Sequence, residues 1–272
     1  MKWTWYFSLL MVTALLLASC EVDSTGIPEQ PVTDIPEGID NILWWEDDVF
    51  YEIFVRSFND SDGDGIGDFN GIIEKLDYLN DGDPGTNTDL GVSGLWLMPI
   101  HPSTSYHGYD VIDYYAVNPE YGTMEDFNRL LDEAHKRGIR VIIDLVLNHT
   151  SVDHPWFRAA QDPMSEYRDW YVWSDTEPSG SGWHASDHGY YFGIFWEGMP
   201  DLNYEHPPVT EQMHDVARYW LQDIGVDGFR LDAAKHLIED GMIQTHTDAT
   251  HEWYKDFRHV YKDLNQIGRA HV

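Results

Sequence analysis

Residues Gly225 to His236 read GVDGFRLDAAKH, and this stretch says most about the fold. The part from Gly228 to Asp232 has the composition of a short, buried strand. Side chains alternate along a strand, so Arg230 and Asp232 share one face. Charged groups are rarely buried without a partner. We therefore expect Arg230 to hold Asp232 in its charged form, which leaves open whether the pair is structural or catalytic.

A second strand is indicated by the run RVIIDLVLNH, from Arg140 to His149. A nearly continuous apolar run is typical of a parallel strand that is buried on both faces. Asp144 interrupts it and needs a cation, for which Arg230 on the neighbouring strand is the natural candidate. Asn148 and His149 follow at the end of the strand, where His149 could donate to a ligand hydroxyl or be satisfied by the backbone.

Strand-like and helix-like segments alternate from Trp44 onward. Such alternation indicates an α/β fold with parallel strands joined by right-handed crossovers. A doubly wound sheet and a (β/α)8 barrel both fit, although no glycine-rich phosphate loop follows the first strand. The predicted strands are 49–55, 94–100, 140–147 and 228–232. The predicted helices are 69–79, 124–137, 213–224 and 253–264. The second helix would begin with a capping box of Thr123 and Asp126.

The stretch from His149 to Pro208 is too long for a plain loop and is rich in Trp, Tyr, Asp and Gly. A connection of this length is usually a functional insertion. It follows the carboxyl end of a strand, which is where barrel enzymes build their sites.

The loop NDSDGDGIGDFNG begins at Asn59 and places four carboxylates around glycines, at Asp60, Asp62, Asp64 and Asp68. Hard carboxylate oxygens that turns fold inward suit calcium. The spacing resembles an EF-hand loop, but no Glu stands at the twelfth position. The alternative is a surface turn rich in Asp, in which the carboxylates would repel one another.

The formal net charge of −32 makes nucleic acid an unfavourable partner. Such acidity suits cation binding or a salt-rich habitat, or it serves only solubility. The chain contains 12 Trp and 16 Tyr, whose rings suit sugar faces as well as an apolar core.

The N-terminus has the pattern of an export signal. Lys2 precedes the apolar stretch from Trp3 to Ala18, and LASC ends at Cys20, the only cysteine, in a form that resembles the bacterial lipobox. We expect residues 1–20 to be a lipoprotein signal peptide and residues 21–43 a flexible tether. The protein would then be exported and held at a membrane by lipid on Cys20; the alternative is an uncleaved membrane anchor.

Five motifs together resemble the α-amylase family, glycoside hydrolase family 13. The resemblance covers about Trp44 to His236. The MPDLN motif is similar to that of the group intermediate between oligo-1,6-glucosidases and neopullulanases. The motifs are GVSGLWLMPI (91–100), YHGYDVIDYY (106–115), DLVLNH (144–149), MPDLN (199–203) and GFRLDAAKH (228–236).

The resemblance implies a (β/α)8 TIM barrel with a small domain inserted after the third strand. The barrel would occupy 44–148 and 209–265 and the inserted domain 149–208, while residues 266–272 look like an artificial tail. It also implies an acid/base Glu after a fifth strand and a third carboxylate after a seventh. Neither position occurs in the sequence, so we expect an N-terminal part with about four β/α units that is inactive alone.

The resemblance also implies roles for individual residues. Asp232 would be the nucleophile with Arg230 as its partner, and Asp144 would belong to the substrate-binding set. The other implied substrate contacts are Tyr109, His149, Lys235 and His236. The implied Ca²⁺ ligands are Asp60, Asp62, Asp64, the Ile66 carbonyl and Asp68 at one site, and Asn148, Asp201 and the His236 carbonyl at another.

The activity that follows is retaining hydrolysis of α-1,4-glucosidic bonds in starch and malto-oligosaccharides, with structural calcium. Alternatives within the family are an α-glucosidase, an oligo-1,6-glucosidase or a transglycosylase. An alternative of another class is a lipoprotein that binds glucan without cutting it, against which the nucleophile Asp232 argues.

Overall fold

Four parallel strands form the sheet that carries the site. The structure is a computed structural model, and it describes Trp44 and residues 48–262. The strands of the described part are β1 Phe50–Ile53, β2 Gly94–Leu97, β3 Arg140–Val146, β4 Trp173–Ser174, β5 Trp183–Ser186, β6 Gly189–Phe192 and β7 Gly228–Asp232. The helices are α1 Val55–Phe58, α2 Phe69–Leu79, α3 Met124–Lys136, α4 Pro155–Ala160, α5 Pro207–Arg218 and α6 Asp248–Lys262.

The strand order distinguishes the two fold classes that the sequence left open. The parallel sheet runs β1-β2-β3-β7, so each strand lies beside its predecessor and the order never reverses. A doubly wound sheet reverses direction at a switch point, whereas a barrel adds strands in one direction. The arrangement is that of the first strands of a (β/α)8 barrel, and the predicted fold class is confirmed.

Most predicted elements lie where the sequence places them, because their ends carry strong local signals. Helix α2 begins after Asp68, whose carboxylate accepts a 2.7 Å hydrogen bond from the Gly71 amide. Helix α3 begins with the predicted capping box of Thr123 and Asp126. Helix α5 continues as a wider π-helical segment, Tyr219–Ile224, which ends at the predicted Gly225.

Two predicted strands are too long. Strand β1 ends at Ile53, and the chain turns at once into the short helix α1, where the Ser57 amide donates to the Phe54 carbonyl at 3.0 Å. Strand β2 ends at Leu97, just before Pro99, which has no amide proton for a strand ladder. The last two helices were predicted too short at their starts, since α5 begins at Pro207 rather than at 213 and α6 begins at Asp248 rather than at 253.

The long insertion contains a small folded unit. It has helix α4, a 3-10 turn at Arg168–Trp170 and an antiparallel sheet in the order β4-β6-β5. Its centre is aromatic: the Phe157 ring stacks on Trp173 at 5.7 Å and meets Tyr191 edge-on at 4.9 Å. This apolar centre explains why so aromatic a stretch folds instead of remaining a loop.

Several sequence-based predictions fall outside the described residues. They are the signal peptide with Cys20, the tether 21–43, and the tail 266–272. Within the described part, no helix has the length and apolar character needed to cross a membrane.

An ion pair ties α3 to the start of β7, at the end of the sheet where the strands begin. His135 Nε2 lies 2.7 Å from Asp227 Oδ2, and the same oxygen accepts a 2.7 Å bond from the Val141 amide of β3. The hydrogen bond to Asp227 raises the pKa of His135.

We predict that His135→Gln destabilises the chain more at about pH 6 than at about pH 9. A histidine with a raised folded-state pKa contributes fully below its unfolded pKa, and the contribution disappears as pH rises through the folded value. The loss should stay below about 1 kcal/mol because the His135 side chain is 40% exposed. Urea unfolding at both pH values measures it, with the exposed His188→Gln as control; equal losses at both pH values would contradict the pairing.

Candidate active site

A guanidinium held between two carboxylates forms the centre of the site. In the register of β3 and β7, Asp144 lies opposite Arg230 and Val146 lies opposite Asp232. Arg230 Nη1 donates to Asp144 Oδ1 at 2.9 Å and to Asp232 Oδ1 at 2.5 Å. Arg230 and Asp232 thus lie on one face of β7, and the predicted partner of Asp144 is confirmed.

Asp144 is completely buried, and donors from three directions reach it. Besides Arg230, Trp96 Nε1 of β2 donates to Oδ2 at 3.0 Å, and the Tyr109 hydroxyl donates to the same oxygen at 3.2 Å. Burial raises the pKa of Asp144 to about 6, and the hydrogen bond from Arg230 opposes that rise. The carboxylate is therefore ionised at neutral pH. The contact of Asp144 with substrate stays a prediction. The hydrogen bonds that Asp144 accepts position Arg230 and Tyr109.

Arg230 keeps its charge despite partial burial. Burial disfavours the guanidinium, but the hydrogen bond and charge of Asp144, with those of Asp232, outweigh it and raise the pKa of Arg230. The guanidinium carbon also lies 5.1 Å from the centre of the Trp96 ring, within the range of a cation–π contact. Asp232 therefore faces a permanent positive charge.

Asp232 opens into a pocket beside the carboxyl ends of the strands. The cavity measures about 290 Å³, near the lower end of the range of about 300–1,000 Å³ for small-molecule sites. The Asp232 side chain keeps 19% of its surface exposed, enough for a small molecule to reach it. The lining residues are His107, Tyr109, His149, Phe195, Met199 and Asp232.

The end of β3 is clamped by the MPDL segment of the insertion. The Leu202 amide donates to the Asn148 carbonyl at 2.8 Å, and the Thr150 amide donates to the Pro200 carbonyl at 3.1 Å. The Tyr204 hydroxyl donates to the Leu147 carbonyl at 2.5 Å. These bonds fix the backbone that carries His149, which explains why two distant motifs serve one site.

His149 is placed to meet a ligand. Its side chain lines the pocket, and its Nε2 atom is buried without a hydrogen-bond partner. Burial lowers the pKa of His149 to about 4, so the ring is neutral at physiological pH. A neutral imidazole with a free nitrogen offers one hydrogen bond to a hydroxyl group.

The loop that carries His107 and Tyr109 is organised around Asp110. This buried carboxylate accepts bonds from the hydroxyls of Ser103 at 2.5 Å and Thr104 at 2.6 Å, and also from Ser105. Burial would raise the pKa of Asp110, but the hydrogen bonds outweigh it and lower the value. The loop is thereby held in a shape that turns Tyr109 toward Asp144.

Phe195 connects two of the predicted substrate residues. Its ring lies 5.3 Å from the His149 ring and 5.2 Å from the His236 ring, edge-on to both. His236 Nδ1 is 3.1 Å from the Gln244 carbonyl, which orients the ring. Lys235 is exposed and does not line the pocket, so its contact with substrate stays a prediction.

Three pocket residues were not singled out from the sequence. They are His107, Phe195 and Met199. His107 stands within the YHGYD motif and Met199 opens MPDLN, so both lie in segments that were already identified. Phe195 lies outside these motifs, and only its nearness to MPDLN could have indicated it.

Known proteins resemble this chain in sequence and fold. The family described as "Alpha amylase, catalytic domain" matches residues 52–270 of the chain. The chain belongs to this family. The resemblance carried by the strand-end motifs is therefore confirmed at the level of the α-amylase family.

Its relatives in the α-amylase family have different names. Alpha-amylase 3 of Dictyoglomus thermophilum is 48% identical over 227 residues, which cover 82% of this chain and 42% of that protein. A trehalose synthase of Thermus thermophilus is 47% identical over 212 residues, which cover 72% of this chain and 21% of that protein. The crystal structure of an alpha-amylase from H. orenii is 56% identical, with a TM-score of 0.74, over 81% of this chain and 46% of that one. The chain thus spans less than half the length of these relatives.

This α-amylase-family chain also has an acidic loop before α2. Oxygens of Asp60, Asp62 and Asp68 lie within 4.8 Å of one another, whereas Asp64 is outside the group and accepts from the Ile66 amide at 2.7 Å. Positive φ angles of 85° at Gly63 and 94° at Gly65 fold the loop.

Three carboxylates this close repel one another unless a cation lies between them, so the donor set fits a hard divalent ion. The hydrogen bonds from the Gly65 and Gly63 amides lower the pKa of Asp60, which keeps that carboxylate charged. The loop is therefore able to offer charged oxygen ligands at neutral pH.

A second group of oxygens lies behind the MPDL clamp. Asp201 is buried, its Oδ1 accepts from the Ile194 amide at 3.2 Å, and its Oδ2 has no partner. Glu239 Oε1 is also buried without a partner, and its charge adds to burial in raising the pKa of Asp201. Asn148 hydrogen-bonds Asp201. Unpaired buried carboxylate oxygens fit a cation, and Glu239 was missed because no sequence motif surrounds it.

A larger cavity of about 440 Å³ lies between the insertion and the loop after β7. Its wall includes Arg168, Asn203 and Glu239 but no carboxylate paired with a guanidinium at a strand end. The smaller pocket over Asp232 is therefore the candidate active site.

Proposed function

We propose that this chain supplies the nucleophile and the sugar pocket of a retaining glycoside hydrolase that cleaves α-1,4-glucosidic bonds in starch and malto-oligosaccharides. The observation that carries the proposal is Asp232, ion-paired with Arg230 on the floor of a pocket sized for a small ring. Family membership supports the chemistry, and the aromatic and histidine lining supports a sugar ligand.

The reaction divides between two steps. An Asp232 oxygen attacks the anomeric carbon, the glycosidic C–O bond breaks, and a general acid, expected after a fifth strand, protonates the leaving oxygen. Water then attacks the same carbon and gives a proton to the residue that first acted as the acid, which now acts as the base. Asp232 leaves as a carboxylate. Arg230 pairs with Asp232 and orients it for both steps, and two inversions retain the configuration.

The lining residues bind and orient the sugar in this proposal. The Tyr109 ring offers a stacking face, because its hydroxyl is already bonded to Asp144. His149 Nε2 hydrogen-bonds a sugar hydroxyl, and His236 and Lys235 lie toward the leaving group. Starch is the favoured substrate, although a relative named trehalose synthase is 47% identical. Products from starch, maltotriose and isomaltose separate hydrolysis from transfer.

Calcium is the proposed structural ion. Asp60, Asp62 and Asp68 would hold one ion, with Asp64 and the Ile66 carbonyl as further ligands. Asp201 and Asn148 would hold another, with the His236 carbonyl as a further ligand. When bound, the ions would neutralise clustered carboxylates, one within the loop before α2 and the other between the insertion and the end of β3. We also propose export and attachment to a membrane by lipid on Cys20, on the lipobox pattern alone.

Covalent trapping tests the nucleophile. An α-glycosyl fluoride with a second fluorine at C5 needs no acid, because fluoride leaves unprotonated, and the ring fluorine slows hydrolysis of the glycosyl-enzyme. We predict a single adduct in the intact mass of the purified chain, mapped to the peptide that contains Asp232. Asp232→Asn should give none.

The control for trapping is Asp223→Asn, which changes an exposed carboxylate on the same chain and should label normally. Circular dichroism shows that each variant is folded. An adduct on another carboxylate, or no adduct on a folded chain, would refute the role of Asp232.

Calcium removal tests the metal proposal. With calcium at about 100 times Kd, the free energy of unfolding should rise by about 2.7 kcal/mol per site, because the ion binds only the folded chain. Asp62→Asn should reduce this gain, whereas Asp83→Asn in another Asp-rich loop should keep it. Thermal unfolding with calcium and with chelator measures the gain, and identical Tm values for the unsubstituted chain would disprove calcium binding.

A further inference from the structure

Two exposed aromatic side chains stand next to each other beside the pocket. Phe195 is 47% exposed and Trp196 is 51% exposed. Among the tryptophans that the structure describes, Trp196 is the only one that is exposed rather than buried or half-buried. Exposed apolar surface next to a pocket usually serves binding, because covering it with a ligand removes it from water and lowers the free energy.

The Trp196 ring is supported from one side. Residues 196–199 form a tight turn in which the Met199 amide donates to the Trp196 carbonyl at 2.9 Å. The ring folds back over Gly198 so closely that a Cβ atom at that position would lie 2.0 Å from a ring atom. Glycine therefore allows the indole to rest on the backbone, and half of the side-chain surface remains open to solvent.

Trp196 belongs to the segment that forms one wall of the pocket. Phe195 and Met199, on either side of Trp196 along the chain, both line the pocket over Asp232. Phe195 also touches the rings of His149 and His236. The pocket holds only about 290 Å³, so further sugar units of a glucan have to extend across its mouth.

We propose that Trp196 is a stacking platform for a glucose unit of an α-glucan outside the pocket, and that it gives the site its preference for longer chains. The inference rests on the proposed function and deepens it. The apolar C–H face of a pyranose packs against an aromatic ring, and the indole offers the largest such surface. The support from Gly198 limits the freedom that the ring loses on binding.

Affinity as a function of chain length tests the platform. Isothermal titration of the purified chain with maltose, maltotriose, maltotetraose and maltopentaose gives four dissociation constants. Trp196→Ala should weaken maltopentaose binding about three- to tenfold, the range expected for a lost aromatic contact. The loss should become smaller as the ligand becomes shorter, and it should be smallest for maltose.

Three further variants make the result specific. Tyr78→Ala removes an aromatic side chain that is 56% exposed on α2 and should leave the four constants unchanged. Trp196→Tyr retains a stacking face and should keep most of the affinity. Gly198→Ala retains the indole but pushes it away from the backbone, because the new Cβ would lie 2.0 Å from a ring atom, and it should lose affinity in the same length-dependent way.

The outcomes separate this inference from the proposed function. If Asp232 is labelled but Trp196→Ala binds every oligosaccharide as tightly as the unsubstituted chain, or loses the same factor for each, the platform is refuted alone. Labelling without measurable binding of any oligosaccharide refutes it too. If neither labelling nor binding occurs in a folded chain, the proposed function itself is refuted.

Discussion

The site depends on one electrostatic constraint: the guanidinium of Arg230, on β7 beside β3, must share its charge with two carboxylates. Asp144 has no exposed surface, and an isolated charge in such a place would cost several kcal/mol. Arg230 offsets this cost by pairing with Asp144, and the same Nη1 atom also donates to Asp232. The need to neutralise a buried residue thus fixes the position of an accessible one. A structural ion pair and the proposed nucleophile are two parts of the same arrangement.

The second constraint is the backbone clamp between β3 and the insertion. Hydrogen bonds from Leu202 and Thr150 hold the segment that presents His149, and the aromatic centre around Phe157 and Trp173 stabilises the insertion that provides them. The pocket therefore has a rigid floor from the sheet and a wall from the insertion. Asp201 pairs with His149 in an isolated β-bridge between the two, and its Oδ2 atom has no partner, so the proposed cation there would act on stability and on pocket shape together.

Local signals allowed much of the fold to be predicted. The capping box at Thr123, the cap at Asp68 and the glycine at 225 are short-range features, so α2, α3 and the end of the π-helical segment could be placed from sequence. Because side chains alternate between the two faces of a strand, the spacing of Arg230 and Asp232 correctly predicted that they share one face. Strand ends were less predictable, since the apolar pattern continues through Val55, where the chain has already turned into a helix.

The parts of the site that the sequence did not reveal are made by long-range contacts. The edge-on contacts of Phe195 with His149 and His236 join residues more than forty positions apart, and nothing in its local sequence indicates them. Glu239 reaches Asp201 only through the fold. The strand order, which distinguished the barrel from a doubly wound sheet, likewise depends on pairing between distant segments.

A double-mutant cycle between positions 144 and 230 tests the central constraint most directly. Urea unfolding is measured for Asp144→Asn, Arg230→Gln and the combined variant. Each single change should lower the free energy of unfolding by about 3 kcal/mol or more, because it leaves a buried charge poorly compensated, and the combined variant should lose clearly less than the sum. Losses that add to within about 0.5 kcal/mol would show that the two side chains do not depend on each other, and would contradict the account.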